Sequence, residues 1–287
     1  WGTLGILYNK QVIKNIDELG WGVLWNNGNN PELYNKILLK DSIRDTYAAA
    51  LFYLKEQGKL PKKYDDLSIQ KLINTVEHDL IKLVEKELVA QRKVISGYEV
   101  DFGKDDLINK FAYADLAWSG DAMWAISEAP KGQLGYHVPK SGSNVWFDGW
   151  VIPKNAQHKK AALEFLDYIC RPENAIQNSL HIGYTSAVKK ELIKDNEEAQ
   201  TLIQDAGEDV DEFFSNEIRY PTINDNLGIM KDFGKKNTAV VQMWERVKAG
   251  KETSFQLLYI SLGLAGILAL LVGIIVLVQR IKRSKEK

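Results

Sequence analysis

The chain has 287 residues, with 37 basic and 38 acidic side chains and a formal net charge of −1. That balance does not suit nucleic acid, which needs a basic face. The single cysteine, Cys170, leaves no internal disulfide and no cysteine metal cluster. The four histidines, His78, His137, His158 and His181, are scattered without ligand spacing, so neither a metal nor a metal-dependent activity is expected.

Residues 1–9, WGTLGILYN, read as a strand already under way. No initiator methionine or signal segment precedes Trp1, and the expectation is a chain that lacks its natural beginning. WGVLWNNGNN (21–30) reads as loop, and KILLK (36–40) as a short strand. DSIRDTYAAALFYLKEQG (41–58) predicts a helix, with Asp41 as its cap, Asp45 at the negative-favouring end and Gly58 as its stop. An apolar stripe through Leu72, Val76, Leu80 and Val84 predicts a helix or helix pair over 65–91.

VISGYEV (94–100) predicts a strand, DDLINKFA (105–112) a helix, and ADLAW (114–118) a strand. SGDAMWAISEA (119–129) starts a helix behind a Ser-Gly turn. GYHVP (135–139) and VWFDGWVIP (145–153) read as extended, and 155–183 as helix broken before Pro172. KKELI (189–193) and the acidic region 194–212 are helical or loose, RYPTIND (219–225) is irregular, and 236–249 is a helix ending at Gly250. Short strands separated by helices argue for an α/β architecture, and their uneven spacing argues against a barrel. No strand is followed by GxGxxG or GxxxxGK[ST], and no GxSxG elbow occurs, so nucleotide loops and a hydrolase nucleophile are not indicated.

From Phe255 to Gln279 there is no charged residue. A spanning helix needs about 20 apolar residues because the hydrocarbon layer is roughly 30 Å thick. The run predicts one C-terminal membrane helix, followed by Arg280, Lys282, Arg283, Lys285 and Lys287. With Glu286 the tail (280–287) is +4, so residues before it sum to −5 within a chain of −1. The basic tail favours the cytoplasm and leaves the body outside. A mildly acidic body tolerates a cationic ligand.

Two local patterns stand out: Trp118-Ser119-Gly120-Asp121 and Trp146-Phe147-Asp148-Gly149-Trp150, both where extended segments end. A tryptophan face attracts a cation, and a carboxylate pairs with an ammonium. Acidic groups at the ends and an aromatic wall between them suit a linear polyamine, with no catalyst required. Each residue also has a plainer reading: Trp118 and Trp146 as core packing, Asp45 and Asp121 as helix-start carboxylates, and Tyr184 as a turn aromatic. Periodicity cannot bring them together; only a fold can.

The order of WGTLGILYN, DSIRDTYAAALFYL, ADLAWSGDA, YHVPKSGSNVWFDGWVIPKNAQHKKAALEFLDYICRPENA, IGYTSAV and MKDFGKKN…VKAG resembles the bacterial spermidine/putrescine-binding proteins of ABC importers over nearly the whole body. The resemblance implies a two-lobed, periplasmic-binding-protein-like fold of type II, in which a ligand is held between α/β lobes. It implies a second lobe over 1–135, a return segment in an incomplete first lobe over 136–187, and helical segments across the lobes over 188–254. The anchor (255–279) and basic tail (280–287) then depart from the usual pattern. By the same resemblance Trp118 stacks on the polyamine, Trp146 and Asp148 stack on it and bind an amine, and Tyr184 borders the site. Asp45 falls where the family has a glutamate, one methylene longer. The acidic position three residues earlier is Ser42, with Asp41 adjacent and able to serve. A late polar contact falls near 230–237. The implied partners are a polyamine, a permease, through it an ATPase, and membrane lipid. The alternatives are a carrier for another small solute, such as an amino acid, sugar or iron complex, a membrane-anchored surface enzyme, and a structural or adhesive surface protein.

Overall fold

The computed structural model describes residues 1–250. Strand β1 (Gly2–Asn9) is buried along almost its whole length, because both of its faces are covered. Leu4 and Ile6 face the larger apolar cluster, and Leu7 faces a second one, as the two-residue period of a strand requires. β2 (Ile37–Lys40) pairs in parallel with β3 (Gly97–Glu99) and with β4 (Ala114–Trp118). β1 runs antiparallel to β4, β5 (Leu134–His137) and β6 (Ser143–Trp146), and β6 pairs in parallel with β7 (Leu227–Gly228). The resulting order is β3-β2-β4-β1-β6-β7, with β5 also on β1. The chain is thus mixed α/β.

Helices Ile43–Glu56 and His78–Gln91 and the helix 237–250 contribute Phe52, Val84 and Met243 to the larger cluster on one face of the sheet. Helices Gly103–Ile108 and Ser119–Glu128 cover the other face through Leu107, Ala122 and Ala125. Helix Ile43–Glu56 begins as its sequence suggests, but Ser42 is its cap, accepting from the Asp45 amide at 3.5 Å. The predicted helix over 65–91 is three pieces: Lys62–Asp65, Ile69–Leu72 and His78–Gln91. The extended reading of 145–153 holds only to Trp146.

A third apolar cluster lies apart from the sheet. Helices Pro172–Ile182, Lys190–Lys194, Glu197–Asp205 and Val210–Ser215 bury Ile176, Ile193, Ile203 and Phe213 among themselves. Arg219 closes this unit: its guanidinium pairs with both oxygens of Glu208 and lies 4.1 Å over the Phe213 ring. This helical unit meets the sheet unit at two glycines. A Cβ on Gly183 would stand 2.3 Å from the Gly120 carbonyl oxygen, and Gly183 has φ +79°, where side chains are strained.

Helix Lys159–Ile169 is different. It buries none of its residues, and Leu163, Phe165 and Tyr168 are each more than half exposed. Phe147, Trp150 and Val151 are exposed as well, so a continuous stretch of chain presents apolar groups to solvent. Among the described residues no helix is long and apolar enough to cross a membrane. The run expected to be an anchor, 255–279, lies outside the described residues.

Candidate functional site

Trp118 is the last residue of β4, and Trp146 is the last residue of β6. The helix Ile43–Glu56 starts beside them. A cleft of about 490 Å³ opens where these ends converge. Asp45, Trp118, Trp146, Asp148 and Tyr184 all line it. Ser42, Arg44, Val145, Phe147 and the late residues Ile229 and Met230 complete its wall. Five residues expected from the sequence therefore share one cavity, although 139 positions separate Asp45 from Tyr184 in the chain.

Asp41 stands elsewhere. Its Oδ1 accepts from Trp244 Nε1 at 3.2 Å and from Lys248 Nζ at 3.4 Å, tying β2 to the helix 237–250. Among the described residues lining the cleft, the position beside it is taken by Ser42. The capping role expected of Asp41 belongs to Ser42 too, so Ser42 both caps the helix and lines the cleft.

Asp45 is only 6% exposed. Burial raises its pKa, opposed by the Ser42 hydrogen bond, the Arg44 charge, a hydrogen bond from Trp118 and the Lys40 charge. It is a carboxylate short of counter-charge, facing an open cavity. Asp148 lines the same cleft and is exposed. Two acidic groups thus share the cavity with the aromatic rings.

Trp146 and Tyr184 pack edge to face, with centroids 5.5 Å apart and planes at 62°. Their seats are made by missing side chains. A Cβ on Gly2 would lie 2.7 Å from the Trp146 ring, and a Cβ on Gly120 would lie 2.2 Å from the Tyr184 ring. Burial first, and the charge of the nearby Asp121 second, push the Tyr184 hydroxyl pKa up. Asp121 in turn holds Lys104 at 3.3 Å. The late segment is pinned by amides: Gln70 accepts from the Ile229 amide at 2.7 Å, and Gln70 and Asn74 both donate to its carbonyl at 3.0 Å.

Behind Trp118 lies a buried charge cluster that sequence reasoning missed. Lys40, at the end of β2, is 2% exposed. Its ammonium pairs with Glu99 and with Asp115 at 3.7 Å, and donates to the Val100 carbonyl at 3.2 Å. It also stands 4.9 Å over the Trp118 ring. Asp115 Oδ1 has no partner, and burial pushes the pKa of Asp115 up to about 7 against the pull of Lys40. The only sequence signal was a charged residue inside an otherwise apolar strand, ILLK. Ser42, Arg44, Gly2 and Gly120 carried no such signal.

Residues 1–205 match the family profile described as bacterial extracellular solute-binding protein. The chain belongs to that family. Among curated proteins, it is 25% identical over 209 residues to the spermidine/putrescine-binding periplasmic protein of Salmonella typhimurium. That match takes 72% of this chain and 54% of the relative. It is 24% identical to the protein of the same description from Escherichia coli, over 88% of this chain and 63% of the relative. The chain therefore spans roughly half to somewhat under two thirds of the curated relatives it matches. A solved structure described as a spermidine/putrescine ABC transporter from Listeria monocytogenes superposes with a TM-score of 0.67 at 26% identity, covering 86% of this chain and 67% of that one. The two curated relatives are described as periplasmic proteins that bind spermidine and putrescine.

Proposed function

We propose that this solute-binding chain captures a polyamine outside the cytoplasm and hands it to the permease of an ABC importer, whose ATPase supplies the energy. The observation that carries the reading is the convergence of Asp45, Asp148, Trp118, Trp146 and Tyr184 on one cleft. A polyamine presents ammonium groups joined by methylenes. Carboxylates bind the ammonium groups through charge-assisted bonds, and aromatic faces cover the methylenes. The partners therefore are a polyamine, a permease, an ATPase subunit and lipid, with no nucleic acid and no cofactor.

The two-lobed arrangement and its boundaries belong to the same proposal: a second lobe over 1–135, a return segment over 136–187 and helical segments over 188–254. The uncovered apolar surface of Phe147, Trp150, Val151, Leu163, Phe165 and Tyr168 supports a further part of the fold packing there, completing the first lobe. The charge-free run 255–279 would hold the body at the outer face of the membrane, with 280–287 in the cytoplasm. A tether keeps the binder at high local concentration beside its permease.

Titration calorimetry of the full chain with putrescine and spermidine tests the ligand. Saturable binding, weakened by Asp148→Asn, is expected. A second reading is favoured by Arg44, an exposed cation in the cleft wall with no ion pair among the described residues. An ω-amino acid could place its carboxylate there. Binding of 4-aminobutyrate without binding of either polyamine would decide for that reading.

A further inference from the structure

Trp118 has two faces, and one is already in use. Lys40 does not line the cleft, so it meets the ring from the protein side, with its ammonium 4.9 Å from the ring centroid. That separation lies within the roughly 6 Å of a cation–π contact. The ammonium is fixed there by Glu99, by Asp115 at 3.7 Å and by the Val100 carbonyl at 3.2 Å. Asp45 lines the cleft beside the same ring. By contrast, Trp146 meets Tyr184 edge to face, and among the described residues no lysine or arginine lies over its ring.

A ring has one quadrupole to share between its faces. A buried ammonium on the inner face draws π density toward itself, and a second cation on the outer face would confront it across the ring at low dielectric. Methylene groups suffer no such penalty. We propose that Lys40 is a specificity-determining residue of the cleft: it reserves the outer face of Trp118 for the hydrocarbon chain of the ligand and directs the ammonium groups to Asp45, Asp148 and the free face of Trp146. Lys40 acts through Trp118 and does not touch the ligand. This assignment rests on the polyamine reading above.

Site-specific incorporation of mono-, di- and trifluorotryptophan tests it, because fluorine withdraws density from the ring face while barely changing the ring's shape. The full chain is titrated with putrescine and spermidine after substitution at position 118 or at position 146. At 118 the Kd should stay within about two-fold across the series, whereas Trp118→Ala weakens binding at least ten-fold. At 146 each added fluorine should weaken binding, by about ten-fold in all. A graded loss at 118 as steep as that at 146 overturns the assignment, as does a Trp118→Ala protein of unchanged affinity. Above pH 7, where Asp115 is ionised, the double variant Lys40→Met with Asp115→Asn keeps the cluster's net charge and should make position 118 sensitive to fluorine, while Lys40→Arg should not. If the double variant does not fold, the series on the wild-type background decides alone. If the wild-type chain binds neither amine, the polyamine reading falls and this one with it; binding with a graded loss at 118 removes this one only.

Discussion

Gly120→Ala sets two physical effects of opposite sign against each other. Gly120 is the second residue of helix Ser119–Glu128, and alanine is ordinarily favoured over glycine in a helix by up to about 1 kcal/mol. Propensity alone therefore expects a more stable protein. The tertiary structure expects the reverse, because a Cβ at 120 would lie 2.2, 2.3 and 2.4 Å from three carbons of the Tyr184 ring. Ordinary contact begins at 3.4 Å, so the ring must move by more than 1 Å. It has little room, being braced edge to face against Trp146. Overpacking of this kind costs about 1–3 kcal/mol, and loss of the aromatic pair adds about 0.5–1.5 kcal/mol. The net expectation is destabilisation by about 1–3 kcal/mol, with weaker polyamine binding because Tyr184 lines the cleft. Denaturant unfolding and calorimetry read the two effects. Gly97→Ala is the control, since nothing lies within 4 Å of a Cβ there. In a Tyr184→Ala background the Gly120→Ala change should lose its cost. A stabilised or unaltered Gly120→Ala protein in the wild-type background would refute the reasoning.

Asp148→Asn should weaken polyamine binding by about 2–5 kcal/mol once the ligand desolvates the pair. Trp146→Phe should lose only part of a contact worth about 0.5–2 kcal/mol; calorimetry that reverses this order removes Asp148 as the amine partner. Asp115 carries a pKa raised from 3.8 to about 7, so its contribution to stability is most favourable below the lower value and is lost as pH rises through the upper one. Asp115→Asn should therefore gain stability relative to wild type as pH is raised from about 4 to about 7, and parallel unfolding curves across that window would count against the burial argument. Replacing Leu268 and Leu271 by arginine adds about 2.5–3.5 kcal/mol per residue to membrane insertion at the centre of a span. The chain should then leave the membrane fraction with its ligand binding intact; retention of the double variant in membranes would argue against 255–279 as the anchor.

Local pattern was enough for much of the architecture. ADLAW is β4 to the residue, because five residues bounded by a turn carry their own period. The break before Pro172 separates helices Lys159–Ile169 and Pro172–Ile182, since a proline ring restricts its neighbour wherever the chain lies. The aromatic–acid pairs were likewise legible in the sequence. Other outcomes depended on residues far away in the chain. Whether Asp41 or Ser42 faces the cleft is settled by Trp244 and Lys248, about two hundred positions later, which draw the Asp41 carboxylate away. Lys40 is tolerable inside a strand only because Glu99 and Asp115 arrive from β3 and β4 to pair with it. Gly2 and Gly120 leave room that a side chain would fill because Ser119 and Trp146 lie on the first and Tyr184 on the second. Hydrophobic period and chain stiffness act over a few neighbouring residues and can be read in order. Counter-charges, ring faces and seats without a side chain are relations between distant segments, and they exist only once the sheet and the helical unit have packed.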